Sequence, residues 1–239
     1  TLSKRASGNT ASFVYQDNFS GRAEMGLAGD DDFHFKVSPD GSAWNEALKI
    51  AASSGVVSLP LGQLKFPATP NLSSDANTLD DYEEGTFTPS LATSGTAPSG
   101  VTSSAAVGLY IKIGSLMFIT ARLVLTNKGT GATGNARLGG LPFACSAVTS
   151  TSQSINIRVS NVTFATGYTA TIGVPSLGTT LLGFSQIGSG LATAGLDWGT
   201  ALSNTSDLGA TGHCRATASR WNGRLTSFVA VCAAFAAKP

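Results

Sequence analysis

Residues 10–60 read as a compact run of strands, in places with apolar and polar side chains alternating with a period of two. The clearest stretch is Phe33-His34-Phe35-Lys36-Val37, the signature of a strand with one buried face. Residues 12–16 and 23–27 read as two further strands, with a turn at Ser20-Gly21 before the second. Ser38-Pro39-Asp40-Gly41 predicts a tight turn, because Pro presets φ and Asp-Gly tolerates a positive φ. Residues 44–50 then return as the partner strand, with Trp44 in the core, and residues 56–60 close the run. Residues 61–85 change character. Pro67, Pro70, Asn71, Ser73, Ser74, Asp75 and Asn77 cannot build a core and read as a connector. It ends on Leu79-Asp80-Asp81-Tyr82-Glu83-Glu84-Gly85, whose four carboxylates read as a structural, solvated or interchain-paired segment.

Beyond residue 85, short apolar runs recur between turn clusters such as Asn127-Lys128-Gly129-Thr130-Gly131. Strands are predicted over 85–91, 105–113, 116–125, 135–139, 154–159, 168–172, 179–187, 213–217 and 226–236. The last is apolar on both faces, as a central strand or one buried against another subunit would be. Helical periodicity with caps is not found. The pattern therefore predicts an all-β chain: a small N-terminal β module over 1–60, a connector over 61–85, and a C-terminal jelly-roll-like β-sandwich over 86–239.

Composition sharpens this picture. Charged residues make up only 12% of the 239 residues, about half the usual share, against 28 glycines. A surface so poor in charge is neutral or covered by other copies of the chain. The net charge of +1 is unevenly spread: residues 1–84 hold twelve acids and six bases, residues 85–239 two acids and nine bases. The basic C-terminal part suits anionic partners such as bacterial surface glycans. Its bases are scattered singly, which argues against nucleic acid. A run of ~18 apolar residues, as membrane insertion needs, is missing. The Thr1-Leu2-Ser3-Lys4-Arg5 start lacks a signal-peptide core and an initiator Met, so the chain reads as a piece of a longer one. Cys145, Cys214 and Cys232 have no metal-ligand spacing and are expected as unpaired buried residues; a Cys214–Cys232 disulfide is the alternative.

Catalytic chemistry is hard to assemble from this inventory. A glycosidase needs two carboxylates across one bond, and the C-terminal part offers only Asp197 and Asp207. The acids of 30–32 and 80–84 are contiguous and point to no convergent pair. No Gly-x-Ser-x-Gly elbow occurs, and His213-Cys214 has no second ligand pair. Metals and cofactors are not expected. Sugar binding asks for less: an aromatic face and hydrogen-bonding groups. Asp197-Trp198 in a Gly-flanked phrase and Arg220-Trp221-Asn222 are the candidate receptor contacts, with Tyr168 and His213 beside them. Each Trp has an alternative role as a plug at a strand end.

Several phrases resemble phage and prophage tail-fibre proteins, including the spikes of phage-like gene-transfer particles. Residues 19–50, from Phe-Ser-Gly-Arg-Ala-Glu-Met-Gly to Trp-Asn-Glu-Ala-Leu-Lys-Ile, are similar to a module recurrent in such fibres. Leu79-Asp80-Asp81-Tyr82-Glu83-Glu84-Gly85-Thr86-Phe87-Thr88-Pro89 is similar to the junction before their receptor-binding domains. Gly108-Leu109-Tyr110-Ile111-Lys112-Ile113-Gly114 and Gly139-Gly140-Leu141-Pro142-Phe143 match common strand and turn phrases there. The resemblance covers most of residues 12–145. It implies a homotrimer, joined to upstream fibre or particle proteins, that binds a bacterial surface glycan or other host receptor without catalysis. It also implies a place on the virion, as a tail or head fibre, after synthesis in the host cytoplasm. A glycan-degrading spike with carboxylates shared across subunits, or a purely structural fibre segment, are the alternatives.

Overall fold

In a computed structural model of the protein, the described residues are 1–69, 71, 73, 75, 77–147 and 153–216. The chain is all-β and divides into two units, Thr1–Lys65 and Phe66–Pro239.

The first unit turns the period-2 pattern into a five-stranded antiparallel meander. Its strands are β1 (Thr10–Asp17), β2 (Ser20–Ala28), β3 (Phe33–Val37), β4 (Asn45–Ile50) and β5 (Val57–Ser58), paired in that order. The β1–β2 hairpin turns on Asn18 and Phe19, both at positive φ (46° and 62°), the twist-matching geometry of two-residue hairpins. The β3–β4 turn forms as its sequence predicts. Asp40 accepts the N–H groups of Ala43 and Ser42 at 2.8 and 2.9 Å, which hold its carboxyl down at about 2, and Gly41 takes φ +84°.

Register sorts the side chains onto two unlike faces. Phe13, Met25, Phe35 and Leu48 form one row across the strands, and Ala11, Leu27, Phe33, Ile50 and Val57 the next. The opposite face carries Ser12, Glu24, His34, Lys36, Glu46 and Lys49. There Ser12 donates to Glu24 at 2.6 Å, and His34 is buried between Asp30 (2.6 Å) and Glu46. Burial opposes a charge on His34, but the Asp30 and Glu46 carboxylates outweigh it and raise its pKa above 6.5. The acids of 30–32 are explained one by one: Asp30 holds His34, Asp31 holds Lys4 at 2.7 Å, and Asp32 holds Lys49 at 2.8 Å.

Among the described residues, the second unit is one antiparallel sheet of ten strands. They are β6 (Tyr82–Phe87), β7 (Ser90–Thr93), β8 (Thr102–Ile113), β9 (Leu116–Asn127), β10 (Ala136–Gly139), β11 (Ile155–Val162), β12 (Ala170–Ser176), β13 (Leu181–Ile187), β14 (Ala194–Gly195) and β15 (Leu202–Arg215). The order across the sheet is β6-β8-β9-β15-β11-β12-β13-β10-β7, with β14 on β13. The two edge strands, β6 and β7, are therefore joined by only Thr88 and Pro89. That short link requires the sheet to curl until its edges lie beside one another. Inside the curl Met117, Ile119, Leu123 and Leu125 share one core with Leu138, Leu182, Phe184 and Leu208.

Several features differ from the sequence reading. Residues 85–91 were expected as one strand, but Pro89, which lacks an N–H for the ladder, breaks it into β6 and β7. The acidic run does not all lie outside the sheet: Tyr82, Glu83 and Glu84 belong to β6. The longest strand among the described residues, β15, covers 202–215, where only 213–217 was expected. A single helical turn, α1 (Trp198–Ala201), precedes it. The cysteines are not all unpaired. Cys145 and Cys214 form a disulfide, because an isolated bridge between Cys145 and Ala216 lays the first beside the end of β15. Cys232 and the strand expected over 226–236 lie outside the described residues, so the Cys214–Cys232 alternative gives way to Cys145–Cys214.

Within strands, two glycines make room for aromatic rings. Tyr110 lies over Gly85, and Phe87 over Gly108, where a Cβ would come within 2.9 and 2.5 Å of the respective ring. This cross-strand exchange fills the space a glycine leaves on a sheet.

Candidate functional site

The strands of the second unit give it two ends, separated by the length of β9, about 40 Å for twelve extended residues. At the root end the chain comes in from residue 81: Gly114 in the β8–β9 turn donates to the Asp81 carbonyl at 2.8 Å. The Cys145–Cys214 disulfide lies at this end too. Here Asp81 pairs with Lys112, both side chains only 6% exposed, and the Lys112 ammonium also lies 5.2 Å from the Phe143 ring centre. Glu83 accepts from the Tyr110 hydroxyl at 2.5 Å, which with burial pushes that phenol up to about 12. Glu84 accepts from Tyr82 at 2.7 Å on the outside.

At the other end, four loops gather: residues 94–101, 128–135, 163–169 and 188–197. Ser99 and Thr130 exchange both backbone hydrogen bonds, at 3.0 and 2.9 Å. Thr96 and Asn135 are tied across the first two loops by Thr133 and Ser94. The Tyr168 hydroxyl donates to the Ala192 carbonyl at 2.8 Å, joining the last two. The exposed rim carries the hydroxyls of Ser94, Thr96, Ser99, Thr130, Thr133, Ser189 and Thr193 and the amide of Asn135, with Leu191 exposed among them.

Asp197 and Trp198 sit in this end, but not as a free loop. Asp197 caps α1, accepting from the Thr200 N–H at 2.8 Å and its hydroxyl at 2.9 Å, so its carboxyl is held below the usual range. Trp198 is half-buried against the core. Its indole N–H donates to the Lys128 carbonyl at 3.3 Å, and the Lys128 ammonium lies 4.8 Å from the ring centre. That ammonium also donates to the carbonyls of Gly199 and Leu202, at 2.8 and 2.7 Å. One side of the indole is thus engaged within the protein. Lys128 was not singled out in the sequence. Its partners lie some 70 positions away, and no local pattern announces them.

The remaining candidates divide. Tyr168 is half-buried in the same loop end, tied to Ala192. His213 is exposed near the root end, with its ring centre 5.7 Å from that of Phe118. Eleven residues of β15, about 36 Å, separate it from Leu202, so it does not join them. Arg220, Trp221 and Asn222 lie outside the described residues. Asp207 faces outward from β15 and is gripped by Arg122 (2.9 Å) and Arg158 (2.6 Å), which lower its pKa. Beside these, β8 and β9 expose Val107, Leu109, Ile111, Ile113 and Phe118, of which Leu109, Ile111 and Phe118 line a groove of about 310 Å³. Among the described residues, three or more His, Cys, Asp or Glu side chains nowhere gather as a metal site. Compared with known proteins, the chain matches no protein-family model and no curated sequence.

Proposed function

We propose that this chain is the attachment end of a phage-type fibre, a homotrimer that binds a bacterial surface glycan through the loop end of its second unit. The observation that carries the reading is the opposition of the two ends. The chain comes in at the root, and a rim of hydroxyl and amide side chains gathers about 40 Å away. Such a rim can hydrogen-bond sugar hydroxyls, and loops on a rigid sheet can vary without disturbing the core. Three copies would raise a weak single-site affinity by avidity. In this reading the curled sheet is the jelly-roll-like sandwich of a fibre tip, and the bare strip of Val107, Leu109, Ile111, Ile113 and Phe118 faces a neighbouring copy. The first unit leads back towards upstream fibre or particle proteins, and the assembled protein belongs to the virion after synthesis in the host cytoplasm.

The reading is non-catalytic. A glycosidase acid is a carboxyl with a raised pKa, whereas Asp197 and Asp207 are both shifted down by their donors. Binding to intact bacteria and to a glycan array, with parallel assay for new reducing ends, tests the proposal. Binding without new reducing ends is expected. Thr130→Trp or Leu191→Asp, both on exposed parts of the rim, should abolish it while leaving mass and melting temperature unchanged. New reducing ends would favour the spike alternative; absence of binding to any bacterium or glycan would favour a structural segment.

A further inference from the structure

The first unit is a single five-stranded sheet, with Leu2 of the N-terminal segment, itself 55% exposed, lining a groove beside Ala11, Phe13, Met25, Leu27 and Phe33. Within residues 1–65 no large apolar side chain is buried; the buried residues are Gly26, His34 and Ser38. This inverts the usual arrangement, in which the apolar face of a sheet is covered and the polar face is wet. Here the polar face holds the buried histidine and the ion pairs. The apolar face leaves Phe13 59%, Tyr15 53%, Phe35 39% and Val37 49% exposed, with Phe33 and Val57 beside them. Weighted by side-chain areas of about 150–250 Å² for the aromatics, these six expose on the order of 500 Å². That is near the upper end for the largest patch on a monomer. With the half-buried Met25, Leu27, Leu48 and Ile50 between them, the face approaches the roughly 800 Å² per partner of a standard interface.

We infer that this face is the seam along which copies of the chain pack against one another, first unit to first unit. Charge decides between occupants. A face without ionised groups brings no like charges together, and leaves no charge buried without a partner, when two copies meet. The rows Ala11-Leu27-Phe33-Ile50-Val57, Phe13-Met25-Phe35-Leu48 and Tyr15-Ala23-Val37-Asn45 contain no Asp, Glu, Lys, Arg or His. The acids of the unit lie on the other face, in the Asp30–Asp32 loop and at the turns, where they keep water and would resist stacking. A charged partner would find nothing to pair with on the apolar face. The inference rests on the trimeric reading above only for the number of copies.

Neighbouring residues on opposite faces give the test. In the full chain, Val37→Cys places a thiol on the apolar face and Lys36→Cys places one on the polar face. Each variant, and the parent with its own Cys232, is treated with a short bismaleimide and run on a denaturing gel. Light scattering and binding to bacteria are recorded on the same samples. Covalent multimers from Val37→Cys, well above those from Lys36→Cys and the parent, are expected. Equal cross-linking of the two variants, or a monomeric parent at micromolar concentration, would overturn the inference. Phe13→Lys/Phe35→Lys should in addition lower the mass, and an unchanged mass in a folded protein counts equally against the seam. Loss of cell binding with cross-linking intact would strike the attachment reading alone. Binding retained without selective cross-linking would strike the seam alone.

Discussion

Replacing Lys112 by Met should destabilise the second unit far more than replacing any exposed charge. Lys112 and Asp81 meet where the chain joins the sheet, and neither side chain is more than 6% exposed. Met keeps most of the aliphatic volume, so the change removes a charge and little packing. Asp81 would then be a buried carboxylate without its cation. Breaking a buried pair in this way costs about 3–5 kcal/mol. The loss of the Lys112–Phe143 contact adds about 1 kcal/mol. For a unit of this size each kcal/mol shifts the melting temperature by roughly 2–4 °C, so a fall on the order of 10–15 °C is expected. Thermal melts followed by circular dichroism, at one fixed protein concentration, measure it; the concentration matters because association contributes to apparent stability. Adding Asp81→Leu to Lys112→Met removes the orphaned charge and should recover most of the loss. Glu84→Gln, on the outer side of the same acidic run, should leave the melting temperature unchanged. A Lys112→Met melt within about 3 °C of the parent, or a double variant as unstable as the single one, would refute a stabilising buried pair.

Three further outcomes follow from the geometry. Because the Asp30 and Glu46 carboxylates raise the His34 pKa above 6.5, its contribution to stability is fully present below pH 6.5 and is lost as pH rises through the folded value; a melting temperature of the first unit that does not fall over that window, or a fall that persists in His34→Gln, contradicts this. The Cys145–Cys214 bridge closes a loop of 69 residues, worth about 4 kcal/mol, so Cys145→Ser/Cys214→Ser should melt markedly lower, and thiol titration of the unfolded parent should find one free thiol per chain instead of three. Gly108→Ala should cost about 1–3 kcal/mol by pushing against the Phe87 ring, and Phe87→Leu in the same chain should relieve part of that penalty in denaturant melts.

The local half of this structure was legible in the sequence. Phe33–Val37 and its return strand announce themselves because one face of a strand repeats every second residue and Asp40-Gly41 has the turn chemistry the hairpin needs. The β8–β9 hairpin is legible for the same reason. What resisted was set by distant partners. Leu202–Arg215 contains Asn204, Ser206, Asp207, Gly209 and Gly212, a composition that reads as loop; it is a strand because β9 and β11 pair with it on both sides. At Gly212 a Cβ would come within 3.2 Å of Ile155, a tight approach that a glycine avoids. Asp207 is held by Arg122 and Arg158 from those two neighbouring strands. In the candidate site, the Asp197-Trp198 phrase was visible but its surroundings were not. A four-residue helix is too short to show a period, and Lys128, which braces it, comes from another loop. The bare apolar face of the first unit was hidden for a different reason: alternation says that one face is apolar, but not what covers it.

The opposed ends of the curled sheet have a mechanical consequence. A ligand gripped at the loop end and a tether pulling at residue 81 would draw on the unit lengthwise, along β6, β8, β9 and β15. In that direction the ladder bonds between neighbouring strands are loaded in shear. They must yield together, and cannot be peeled one after another as they would be by a pull across the strands. The pairs from Tyr82↔Ile113 to Phe87↔Gly108 would bear the tension first, with Lys112 gripping Asp81 just ahead of them. The disulfide at Cys214 fastens the far end of β15 to the same root. The unit is thus built to resist being pulled along its length and to give way more readily when pried from the side.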